Sequence, residues 1–199
     1  VPTQHRAIQS RQALIRSAAE TFLEKGVAAA GMVEISRRAR LSKGALYFHF
    51  TSKDDLTLAV RDTALSTLQH IEEGLIRSPQ PIGTAVQDFA AELFLRVESD
   101  PVLRAGLRLR PETAPGLEIT SLERRWYALF LDKAMTGGAG GASRSEIEPR
   151  RTAQLLTSVV VGLLHLGYED PAWWAEAALA DVWTLLPNAP VAVPAPAAS

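Results

Sequence analysis

Apolar residues recur at three- and four-residue steps through almost every segment of this chain, and no segment alternates apolar with polar positions as a half-buried strand would. The pattern predicts an all-α fold. A first helix is expected over Arg6–Lys25, with Leu14, Ile15, Ala18, Ala19, Phe22 and Leu23 as its apolar stripe and Gly26 as a left-handed stop. A short helix over Met32–Ala39, a turn at Arg40-Leu41 and a third helix capped by Ser42 and running to about Phe48 follow. Ser52 with Asp55 three residues on opens a fourth helix in a capping-box-like arrangement, carried to about Ile76 by Leu56, Ala59, Val60, Thr63, Leu68, Ile71 and Leu75.

Ser78-Pro79-Gln80-Pro81 breaks the pattern, which Ile82, Val86, Phe89, Leu93 and Val97 resume. Pro101 is well placed to start a shorter helix. Beyond it the expectation is a loop over Pro111–Gly116, a helix over Leu117–Met135 and a glycine-rich connection over Thr136–Ser143. Helices over Pro149–Leu166 and Pro171–Leu186 come next, then a Pro/Ala-rich disordered tail. The glycine run follows a helix and lacks the Gly-Lys-Ser/Thr ending of a phosphate cradle, so it reads as a linker. Three parts result: a head over residues 1–52, a body over 53–186 and a tail over 187–199.

Charge divides along the same line. Ten Lys and Arg against five carboxylates give Val1–Arg61 a balance of +5, leaving −6 for the remainder of a chain whose formal net charge is −1. A basic head on an acidic body suits approach to a polyanion by one end. The absence of cysteine excludes disulfides, thiolate metal sites and cysteine nucleophiles. The four histidines are scattered, so no histidine metal site and no cofactor is expected. Val1–Ala7 carry no apolar signal core, and the longest apolar stretch, Val159–Leu164, is too short for a bilayer, so the expectation is a cytoplasmic protein without membrane contact.

Two short helices joined by a tight turn form a head whose last helix, roughly 10 Å long, fits a major groove. Leu41-Ser42-Lys43-Gly44-Ala45-Leu46-Tyr47-Phe48-His49-Phe50, followed by Ser52-Lys53, closely resembles the signature of the TetR family of repressors. A glycine inside so short a helix costs about 1 kcal/mol relative to alanine, and close approach of backbone to DNA is a physical reason to accept that cost. The resemblance implies that Ser42, Lys43, Gly44 and Ala45 face the groove, that Tyr47, His49 and Lys53 hold phosphates, and that Leu46 and Phe50 are core. For Tyr47 and His49 the alternative is partial burial in the head; Arg37, a further candidate DNA contact, and Arg38 read equally as solvated charges. Two positions depart from the family pattern: Gly31 stands where a threonine-like cap is usual, and Arg40 where the turn usually has glycine. Arg40 is awkward if that position needs a positive φ.

Pro101-Val102-Leu103-Arg104-Ala105-Gly106-Leu107-Arg108-Leu109 narrows the resemblance to the γ-butyrolactone receptors that control antibiotic production. It implies a pocket tryptophan at Trp126 and a polar ligand contact near Thr157. A small lactone with an alkyl tail needs an apolar cavity with one or two polar anchors; candidates for the lining are Phe89, Leu93, Leu107, Trp126, Phe130, Val160 and Leu164, with Thr157 or the Trp126 N–H as anchors. Plain core packing is the alternative for most of them.

The last two helices are apolar around much of their circumference, so part of each is expected to be buried in a second copy, as the family's four-helix dimer interface implies. The expected partners are therefore double-stranded operator DNA, a small hydrophobic effector and a second copy of the chain. Two heads about one helical turn of DNA apart read a palindrome, and an effector that prefers another spacing lowers DNA affinity. Within regulators the rival is a pseudo-receptor or multidrug-sensing repressor answering to an antibiotic. An all-α enzyme is the rival from another class, but no nucleophile triad, HExxH, P-loop or convincing carboxylate pair is present, and Glu112, Glu146 and Glu148 sit in loop-like surroundings.

Overall fold

The computed structural model describes residues 2–109, 121–136 and 147–185. Among these, every regular element is helical. The expected loop at 111–116, the glycine run from Gly137, Glu112, Glu146 and the tail from Pro187 lie outside the described residues.

The elements are α1 (Pro2–Ala29), α2 (Met32–Arg38), α3 (Lys43–His49), α4 (Lys53–Arg77), α5 (Ile82–Ser99), α6 (Pro101–Arg108), α7 (Leu122–Thr136), α8 (Ile147–Glu169), a 3-10 turn (Pro171–Trp174) and α9 (Glu176–Leu185). None is long and apolar enough to cross a membrane. They fall into two compact units. One holds α1–α3, α4 as far as His70, the end of α5 from Arg96, and α6; the other holds the last turns of α4, α5 as far as Leu95, and α7–α9.

In the first unit Leu14, Ile15, Ala18, Ala19 and Phe22 from α1 pack with Ile35, Leu46, Phe50, Leu56 and Val60, and with Val102 and Ala105 of α6. This is the stripe the three- and four-residue spacing predicts, and burial of side chains of this kind stabilises by about 1.5–3 kcal/mol each. Gly26 interrupts α1 with φ 80° and ψ 161°, a conformation that side chains disfavour. Gly106 has a different reason to lack a side chain: a Cβ there would overlap Ala64, so α6 lies directly on α4.

Caps fix the helix starts as the sequence indicates. The Ser42 hydroxyl accepts from Ala45 N–H at 3.1 Å, and the Ser52 hydroxyl accepts from Asp55 N–H at 3.1 Å. Asp55 returns the favour to Thr51 N–H at 2.9 Å rather than to Ser52, so the box is offset by one residue. Asp100 accepts from Val102 N–H ahead of α6, with Pro101 in the first turn.

In the second unit α7 packs on α8, and α8 on the 3-10 turn. Boundaries differ from expectation at several points, among them that α7 begins at Leu122 and α8 runs on to Glu169. Glu148 lies in the first turn of α8 rather than in a loop. The helix expected over Pro171–Leu186 is broken: Asp170 caps a 3-10 turn by accepting from Ala172 N–H at 3.0 Å, and Ala175 (φ −64°, ψ 143°) is extended before α9 begins. The turn seats Trp174 against α8 at Gly167, where a Cβ would overlap the indole. That close approach is a tertiary demand which helical periodicity does not encode.

Candidate nucleic-acid interface and effector site

The turn before α3 is built without glycine. Arg40 N–H bonds to Arg37 C=O at 3.0 Å and Leu41 N–H to Ser36 C=O at 2.9 Å, the two bonds of a Schellman motif, with Arg40 in the left-handed position at φ 56°. A side chain there costs roughly 1 kcal/mol. Gly31 precedes α2 in extended conformation with no side-chain cap.

Helix α3 is anchored from one side by Leu46, fully buried, and at its end by Phe50. Lys43 and Gly44 are exposed, as are Tyr47 (46%) and Phe48 (79%), while Ala45, expected to face the groove, and His49 are half-buried. The Lys43 ammonium lies 5.8 Å from the centre of the Tyr47 ring. A Cβ built on Gly44 would meet only the Ser42 Oγ at 3.7 Å, an ordinary contact, so nothing inside the protein requires this glycine.

His49 is tied to α1, its Nε2 lying 2.7 Å from the Ser10 hydroxyl, while its ring packs edge-on against Phe48. Arg11 of α1 sits 5.2 Å over the Phe50 ring. These contacts from the first turns of α1 are absent from the sequence reading, since nothing local links positions 39 residues apart. Lys53 has an internal occupation: its ammonium donates to the carbonyls of Val27 and Ala28 at 2.9 Å and of Ala30 at 3.4 Å, closing the end of α1.

The two arginines that sequence could not separate are different. Arg38 is spent on α1, its Nε donating to Glu20 at 2.9 Å and its two terminal nitrogens to Glu24 at 2.7 and 2.5 Å. That fork holds the Glu24 carboxyl below the usual range, through its hydrogen bonds first and its charge second, and raises the guanidinium in turn. Lys25 acts likewise on Glu34, at 2.5 Å. Arg37 remains exposed on α2.

Of the residues singled out for an effector site, Phe89, Leu93, Trp126, Phe130, Thr157, Val160 and Leu164 are all buried in the second unit. Leu107 is half-buried on α6 and belongs to the first. Phe89 meets Trp126 and Phe130 edge-on, at ring-centre distances of 5.6 and 5.7 Å. The Thr157 hydroxyl donates to Ala153 C=O of its own helix at 2.7 Å.

Glu72 is the residue the sequence reading missed. It is 4% exposed on α4 and accepts from Trp126 Nε1 at 3.1 Å. Arg125 Nε lies 2.7 and 3.0 Å from its two oxygens, and an Arg125 terminal nitrogen donates to Oε2. The carboxylate holds the guanidinium above its ordinary value, chiefly through these hydrogen bonds. A signal was available: Glu72 stands four residues after Leu68 and three before Leu75, on the apolar stripe of α4.

Residues 14–60 match the family model described as "Bacterial regulatory proteins, tetR family". The chain is 39% identical over 109 residues to the A-factor receptor protein of Streptomyces griseus, covering 55% of this chain but only 37% of that protein's length. It is 32% identical over 178 residues to the HTH-type transcriptional regulator TtgR of Pseudomonas putida, covering 82% of each. In fold it is similar to a crystal structure of a gamma-butyrolactone receptor (ArpA-like protein), with TM-score 0.70 and 27% identity over 89% of this chain and 86% of the other. It is likewise similar to CprB, a TetR family protein from Streptomyces coelicolor in complex with its biological operator sequence, with TM-score 0.72 and 26% identity over 90% and 87% of the two chains.

Proposed function

Because the chain belongs to the tetR family of bacterial regulatory proteins, we propose that this transcriptional regulator is a repressor that grips a palindromic operator as a dimer and releases it on binding a small effector. The observation that carries the DNA-binding reading is α3 itself. Its inner side is fixed by Leu46 and Phe50, and its outer side offers Lys43, Tyr47, Phe48 and a glycine that the fold does not need. A backbone left bare toward solvent suits close approach to a phosphate chain or a base edge, and Lys43 and Arg37 supply the charge. His49, held by Ser10, is positioned at the end of the same helix.

Pairing of two copies is supported by the outer sides of the last helices, where Leu155, Leu166, Trp173 and Leu185 are exposed. Apolar side chains left in water on two neighbouring helices favour a two-fold interface. For the effector, the second unit offers a buried aromatic cluster of Phe89, Trp126 and Phe130. The likeness to the A-factor receptor and to a gamma-butyrolactone receptor directs the choice toward a butyrolactone with an alkyl tail and toward control of antibiotic synthesis.

A gel-shift titration on palindromic promoter DNA, with and without butyrolactones, tests the reading. A specific shift that a lactone releases is expected, and no shift on any site at low salt would sink it. Lys43→Ala is expected to weaken binding on all sequences and to lower the salt slope by about 1.

A further inference from the structure

Burying a carboxylate in an apolar interior gains little for folding, since a well-packed apolar pair in place of a buried ion pair is often neutral or more stable. Glu72 therefore calls for a reason other than stability. Glu20, Glu24, Glu34 and Glu73, which also pair with cations, are at least 31% exposed, whereas the Glu72 side chain is 5% exposed. It sits against Trp126, which meets Phe89 at the centre of the aromatic cluster.

The polar groups of this unit are used unevenly. Trp126 has one donor and it is spent on Glu72. The Thr157 hydroxyl, the other buried polar side chain singled out in this unit, has spent its proton on Ala153 C=O. Both Glu72 and Thr157 are left with lone pairs, and an ionised carboxylate can only accept. Arg125 balances the charge without closing the site: its side chain is 40% exposed, so the guanidinium reaches water while the carboxylate stays inside.

We propose that Glu72 is the polar anchor of the effector site and selects effectors that carry a hydrogen-bond donor. This rests on the reading that the second unit takes a small apolar effector. A hydroxyl group on the effector donates to the remaining lone pair of the Glu72 carboxylate, with Arg125 kept in place as its counter-ion and the apolar part of the molecule against Phe89, Trp126 and Phe130. An effector with acceptors alone finds the Trp126 N–H already bound and must break that bond to gain one.

The test uses the full chain and two probe pairs: a 2-acyl-3-hydroxymethyl-γ-butyrolactone with its O-methyl ether, and 1-octanol with its methyl ether. Binding is read by tryptophan fluorescence and release by gel shift. The hydroxyl compound of a pair that binds is expected to bind at least about tenfold more tightly than its ether, the value of a hydrogen bond to a charged group. Because Glu72→Leu alone leaves Arg125 without its carboxylate, the informative variant is Glu72→Leu with Arg125→Met, expected to stay folded and to lose the preference. Glu72→Gln, which keeps an acceptor, is expected to retain part of it. Equal affinity for hydroxyl compound and ether in the unmodified protein overturns the proposal and turns attention to the indole N–H groups of Trp174 and Trp183, which are buried without an acceptor. A preference that survives in the double variant overturns it as well. If the lactones fail to bind but octanol is preferred over its ether, the anchor stands and the lactone reading falls; if nothing binds, both fall.

Discussion

The two units handle charge and aromatic surface in opposite ways. In the first, Arg38 with Glu20 and Glu24, and Lys25 with Glu34, meet at the surface, and Tyr47 and Phe48 face outward. In the second, Glu72 is inside, and Phe89 is packed edge-on against Trp126 and Phe130. A surface that keeps cations and rings in water is suited to a large polyanion that must come to it. An interior that encloses rings and a carboxylate is suited to a molecule small enough to be enclosed.

The sharpest way to break this contrast is to remove one arginine from each unit. Arg125→Met leaves the Glu72 carboxylate buried without its counter-ion and is expected to cost about 3 kcal/mol in urea unfolding. Arg38→Met breaks an exposed fork and is expected to cost under about 1 kcal/mol. Equal losses would mean that the burial difference carries no energetic weight.

Gly44→Ala sharpens the comparison from the other side. It is expected to stabilise the protein by up to about 1 kcal/mol, because the site is helical and open. DNA binding should nevertheless weaken clearly in a gel shift; undiminished binding would remove the outward role of the glycine. Arg40→Gly relieves the left-handed strain and should raise stability by about 1 kcal/mol or less, read from the thermal midpoint. The smallest effect concerns pH. Glu24 has a lowered folded-state pKa, so its stabilising contribution is complete above its ordinary value of 4.5 and fades as pH falls through the lower folded value. Glu24→Gln should flatten that acid limb slightly, and an unchanged limb would show that the fork does not contribute.

Much of the first unit was legible because its signals are local. Ser42 and Ser52 announce helix starts three residues ahead of the N–H groups they accept from, and the stripe from Leu14 to Phe22 is a matter of helical period. Arg40 was recognised as a departure, and the structure shows that the position does take positive φ with arginine in it. The effector candidates of the second unit were legible only as buried apolar residues on helices.

By itself, then, the sequence determined the helices, their caps, the outward edge of α3 and the basic bias of the head, all of which follow from neighbours within about a turn. Only the tertiary structure decided that Arg38 is consumed while Arg37 is exposed, that Lys53 closes α1, that α9 is cut at Ala175, and that Glu72 holds Trp126 from 54 positions away. Those outcomes depend on which helices pack together, and a carboxylate on an apolar stripe gives no indication of its partner until they do.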